Sequence, residues 1–145
     1  MVKLFLVTVA TAMLFSGCSR QPVTVVFRFP NGYNGLVRVS EDHTNGVTVR
    51  GANGKYTIEV PESGWVRLKS LALLTEWHKE EAQFQNGTPL GYVASGSSTE
   101  NVLYGLPTVG GYGCFYFVGT SAEYDKVSKK YDFYKLPLGT KLILD

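Results

Sequence analysis

The stretch Lys55-Tyr56-Thr57-Ile58-Glu59-Val60-Pro61-Glu62-Ser63-Gly64-Trp65-Val66-Arg67-Leu68-Lys69 decides the fold class. Tyr56, Ile58 and Val60 share one face of its first run, and Val66 and Leu68 share one face of its second. A side-chain period of two belongs to a strand and not to a helix. Between the runs, Pro61 restricts φ to about −65°. Gly64 tolerates positive φ, so the four residues read as a turn with Gly64 in the left-handed region.

Working outward, alternating or apolar runs recur at Val23–Phe29, Leu36–Ser40, Val47–Arg50 and Phe115–Val118, with Lys141–Leu144 as a final strand. His78–Gln85 and Leu90–Ala94 flank Asn86-Gly87-Thr88-Pro89 and read as a hairpin. Further Asn-Gly pairs stand at Asn31-Gly32, Asn45-Gly46 and Asn53-Gly54, and both residues tolerate the positive φ of a type I′ turn. Leu71–Trp77 fits a helical turn or an irregular edge, and Ser95–Thr99 reads as a flexible loop. Thr120 or Ser121 caps a short helix running to Lys130, with Glu123 in its first turn and Lys129 and Lys130 in its last. The expected fold is mainly β: an antiparallel β-sandwich with one short C-terminal α-helix.

The chain has 145 residues, 44% hydrophobic and 18% charged, which excludes a disordered segment and suits one domain. Fourteen basic against 12 acidic side chains leave a net charge of +2, too small an excess for nucleic acid as a main partner.

The first residues carry an address. Lys3 precedes an uncharged run, Leu4–Phe15, that would span roughly 18 Å as a helix, well short of a hydrocarbon core of roughly 30 Å. A secretory signal is the better reading. Leu14-Phe15-Ser16-Gly17-Cys18 then resembles the lipobox of bacterial lipoproteins. That resemblance implies cleavage before Cys18 and a diacylglyceryl group on its thiol. It divides the chain into a signal peptide (1–17), a lipidated tether (18–22) and a single β-domain (23–145). The neutral Ser19 implies, by the same resemblance, the outer membrane of a bacterial envelope. The alternative is a soluble secreted protein whose signal ends near a cysteine. With Cys18 lipidated, Cys114 has no disulfide partner in the chain; its apolar surroundings, Gly113–Val118, suit a buried thiol.

Residues that could carry chemistry are scattered. His43 follows Glu41-Asp42, and His78 precedes Lys79-Glu80-Glu81, but neither has a second His or Cys at ligand spacing, so both read as solvated and no metal is expected. No Gly-x-Ser-x-Gly elbow and no phosphate-cradling glycine loop is present. The candidate carboxylates for a pair, Glu59, Glu62, Glu76, Glu80 and Glu81, mostly fall on polar faces or turns. Tyr104, Tyr112, Tyr116, Tyr124, Tyr131 and Tyr134 crowd the C-terminal third, where core packing explains them better than a binding surface does.

Phe29-Pro30-x-Gly32-Tyr33-x-Gly35, Gly54-Lys55-Tyr56-x-Ile58-x-x-Pro61-x-Ser63-Gly64 and Phe117-Val118-Gly119-Thr120 together resemble a bacterial envelope family of unknown function. Its members are similar to transthyretin-like or carboxypeptidase-regulatory-like β-sandwiches. The resemblance, over residues 27 to 130, implies a fold and an envelope address but no catalytic residue. The expectation is a non-enzymatic module without a cofactor, held to the membrane through Cys18, with a protein or glycan partner. The rival is a small hydrolase assembled from distant Ser, His and carboxylate residues.

Overall fold

The computed structural model describes residues 22–93, 100–109, 113–132 and 135. The signal, Cys18, the Ser95–Thr99 loop and the Lys141–Leu144 strand lie outside them. The strands are β1 (Val23–Phe29), β2 (Gly35–Glu41), β3 (Gly51–Ala52), β4 (Lys55–Glu59), β5 (Trp65–Leu68), β6 (His78–Phe84), β7 (Pro89–Val93), β8 (Val102–Val109) and β9 (Gly113–Gly119). Two helices join them, α1 (Ala72–Thr75) between β5 and β6 and α2 (Ser121–Lys130) after β9.

The nine strands among the described residues form one sheet in the order β3-β4-β1-β6-β7-β8-β9-β2-β5. The sheet curls so that the β3-β4-β1-β6 half faces the β8-β9-β2-β5 half. Val25, Phe27, Phe29, Ile58 and Ala82 of the first half share one core with Val37, Val39, Val66, Leu68 and Tyr116 of the second. The Phe27 and Tyr116 rings meet across it at 4.7 Å.

The sheet is mixed, which corrects the expected antiparallel arrangement. β1 runs parallel to both β4 and β6, β2 parallel to β5, and β7 parallel to β8. For the pairs of β1 with β4 and β6 and of β2 with β5, the cause is the path of the chain. From β1 it crosses at the upper end to β2 and descends, returns at the lower end to the first half, rises through β4, crosses again to β5, and returns through α1 to β6. Each round trip restores the original direction, so strands laid beside one another on successive trips are parallel. The Pro61–Gly64 turn is one of these crossings. β4 and β5, which it joins, pair with different neighbours and not with each other.

Local readings hold with few changes. The β6–β7 hairpin forms, with Ala82 opposite Leu90. Among the Asn-Gly pairs, only Asn53-Gly54 puts both residues at positive φ (53° and 75°), closing the two-residue β3–β4 hairpin. Val47–Arg50, expected as a strand, contributes only an isolated bridge from Val47 to Leu68, and pairing begins later, at Gly51. β8 was not foreseen: Gly105 and Pro107 break its pattern, and its pairing with β9 shifts between Leu106 and Val109. The Leu71–Trp77 stretch resolves as the single-turn α1. Thr120 caps α2 through a capping box with Glu123, as its sequence requires.

Candidate functional site

β6 carries a mostly buried pair of ionisable side chains, His78 and Glu80. His78, Glu80, Ala82 and Phe84 alternate onto the inner face, so the same periodicity that buries Ala82 carries an imidazole and a carboxylate inward. Their side chains are only 10% and 14% exposed. Glu80 Oε1 accepts a hydrogen bond of 2.6 Å from the Tyr116 hydroxyl on β9 and lies 3.1 Å from His78 Nε2. Tyr92 on β7 also hydrogen-bonds Glu80. Gly105 leaves room for this, since a Cβ there would stand 2.6 Å from the Tyr92 hydroxyl.

Hydrogen counting defines what the group can do. His78 Nδ1 lies 2.6 Å from the Glu76 carbonyl, which can only accept, so Nδ1 carries a proton. Nε2 then faces the Glu80 carboxylate. Burial, together with the charge of Glu80, pushes the Tyr116 hydroxyl far above its ordinary value and that of Tyr92 up to about 12. Both therefore act as neutral donors. The cluster ties β6 to β9 across the core. A buried carboxylate is tolerable only with such donors around it.

His78 and Glu80 thus differ from the expectation of solvated side chains. The pattern His78-x-Glu80-x-Ala82-x-Phe84 already placed them on the apolar face. His43 is solvated as expected, its side chain 78% exposed, with Nδ1 2.9 Å from the Lys69 carbonyl and Nε2 3.6 Å from Glu41. Glu59 pairs with Arg28, and Glu81 with Lys55 and Lys79, on the outer face. Glu62 and Glu76 are exposed. Among the described residues no three His, Cys, Asp or Glu side chains converge as a metal site would need. Cys114 is buried in the core, 4% exposed.

Of the tyrosines that crowd the C-terminal third, Tyr104 and Tyr116 are buried, and Tyr124 and Tyr131 pack on the second, smaller core beneath α2. Tyr112 and Tyr134 lie outside the described residues. Large apolar side chains remain exposed at Trp77 (83%), Val47 (61%) and Tyr92 (42%). Two of the turn motifs of the family resemblance, Pro30–Gly35 and Pro61–Gly64, meet at the upper end. The Tyr33 hydroxyl donates to the Leu36 carbonyl at 2.8 Å, and Gly64 lies directly against both.

No family model matches the chain, and no curated protein matches it. Among solved structures, a candidate lipoprotein from Bacillus anthracis is similar to it at a TM-score of 0.42 and 8% identity, over 70% of this chain and 73% of that one. A likeness so distant carries no argument for this chain.

Proposed function

We propose that the chain is a lipid-anchored protein of a bacterial cell envelope, held through Cys18, and that its folded part is a non-enzymatic binding or structural module. The transthyretin-like kinship and the outer-membrane address, implied by the turn motifs and by Ser19, belong to this proposal. One observation carries it. The Leu14–Cys18 signature stands directly before the fold, with only Ser19, Arg20, Gln21 and Pro22 between Cys18 and the first residue of β1. β1 lies between β4 and β6, so pull on the anchor is borne by a strand paired on both sides. Two or three acyl chains at about 0.8 kcal/mol per buried methylene hold such a domain stably.

The hydrolase reading draws on the His78–Glu80 contact. The partners of His78 are Glu76 and Glu80, and those of His43 are Lys69 and Glu41. Among the described residues neither imidazole stands against a serine hydroxyl, and tyrosines held neutral by burial are poor nucleophiles.

The test is Cys18→Ser in cells fed a labelled fatty acid. The wild-type protein is expected to carry label and fractionate with membranes, and the variant to lose the label. Label persisting in the variant would sink the proposal.

A further inference from the structure

We infer that the lower end of the fold, where β1 begins, lies against the bilayer with Trp77 seated in the polar interface of the membrane. The inference rests on the Cys18 anchor proposed above and adds the orientation of the domain. Register places Trp77 there: Val23, the first residue of β1, pairs with His78, the first residue of β6, and Trp77 immediately precedes it. Adjacent strands lie about 4.8 Å apart, so Trp77 sits beside the point where the tether leaves the fold. Five Cα steps separate Cys18 from Val23. Fully extended, they reach at most about 18 Å from the lipidated residue, which keeps this end of the domain close to the headgroups.

Exposure is concentrated at the same end. Trp77 and Val47 are the two most exposed large apolar side chains among the described residues. Val47 bridges to Leu68, the last residue of β5, where the crossing to β6 begins, and Trp77 is the last residue of that crossing. Along the crossing, Leu74 is buried and Leu71 and Leu73 pack on the core, so neighbours of Trp77 are drawn inward while the indole is left in solvent. An indole combines an apolar ring with one N–H donor, the pairing that suits the boundary between headgroups and acyl chains. One tryptophan would not hold a free domain on a membrane. Here the lipid tether makes the contact intramolecular, and a weak preference suffices. Glu41, Asp42, Glu76 and Glu81 offset Lys55, Arg67, Lys69 and Lys79 at this end, so the contact does not depend on anionic lipid.

The experiment uses the full chain, purified from membranes after fatty-acid labelling and reconstituted at low density in phosphatidylcholine vesicles with and without brominated acyl chains. The chain has two tryptophans, Trp65 and Trp77. Trp65→Phe isolates Trp77. Should that variant fold poorly, the difference between wild type and Trp77→Phe isolates the same signal. The expected result is blue-shifted Trp77 emission that loses most of its intensity to brominated lipid, while Trp65 emission is little changed. Labelled protein whose Trp77 emits as in water would overturn the orientation and leave the anchor standing. Shielded but unquenched Trp77 would place a protein partner or a second copy there and also overturn it. Unlabelled protein would remove the anchor and the orientation together.

Discussion

Gly64 has no room for a Cβ. Its φ is +70°, and a Cβ built on it would overlap the Tyr33 hydroxyl and the Leu36 carbonyl. The left-handed backbone alone costs a β-branched residue about 1–3 kcal/mol. The overlap with a main-chain carbonyl adds to this, because β2 cannot move without breaking the Arg38–Gly64 bond of 2.8 Å that extends its pairing with β5. Gly64→Val is therefore expected to cost on the order of 3 kcal/mol or more, and to lower the melting temperature of the domain by several degrees. Gly64→Ala should show most of the same loss, because both causes act on the Cβ. A thermal melt of either variant that coincides with wild type would remove the left-handed turn. The positive φ was legible in Pro61-Glu62-Ser63-Gly64. The overlap was not, because Tyr33 reaches Gly64 only through a crossing between sheet halves. His78 and Glu80 show the opposite case. Their alternation with Ala82 and Phe84 was legible, but their charge argued for solvent, and burial prevailed because Tyr116 and Tyr92 arrive from β9 and β7 to satisfy the carboxylate.

At the scale of elements, α2 stands on its cap. The Thr120 side chain accepts from the Glu123 amide, and the Glu123 carboxylate accepts from the Thr120 amide at 2.8 Å. The Thr120 amide, followed by Asn34 from the β1–β2 crossing, holds the Glu123 carboxyl below its ordinary value. That contribution is present above the ordinary carboxylate range and fades as pH falls. Thr120→Ala is expected to cost about 0.5–2 kcal/mol. Val127 on the inner face of α2 is buried beside Tyr104 and Phe117, so fraying should reach the smaller core and spare the larger one. Amide hydrogen exchange checks this: faster exchange confined to α2 is expected, and unchanged protection there would show that packing alone holds the helix. The cap and the charged ends of α2 are local, and the sequence displayed them. β8 is the contrary case. Its Gly105 lowers strand propensity and serves a distant need, the Tyr92 hydroxyl that passes over it. No local signal announces a residue chosen for a neighbour on another strand.

At the scale of the whole molecule, the round trips of the chain between sheet halves decide what local alternation could not. Alternation says that a strand has one buried face, and antiparallel and parallel neighbours satisfy that equally. Parallel pairing came from the order of crossings, which turn residues announce as breaks but not as destinations. The same closure places tyrosine hydroxyls inside the fold, and this yields a test of the assembled structure. Burial pushes Tyr33 up to about 12 and raises Tyr116 further, against about 10 in an unfolded chain. Between about pH 10 and 12 the unfolded chain has released protons that the native state still holds, so stability must fall as pH rises through that window. Below about pH 10 the contribution is complete, because the hydroxyls are neutral in both states. Denaturant midpoints of the folded domain should therefore hold level to about pH 10 and decline beyond it. Tyr116→Phe removes one such proton and should flatten the decline, although the loss of a donor to Glu80 lowers the midpoint at every pH. A variant whose alkaline decline is as steep as that of wild type would mean that Tyr116 is not held neutral in the core, and the two sheet halves would not close around it as described.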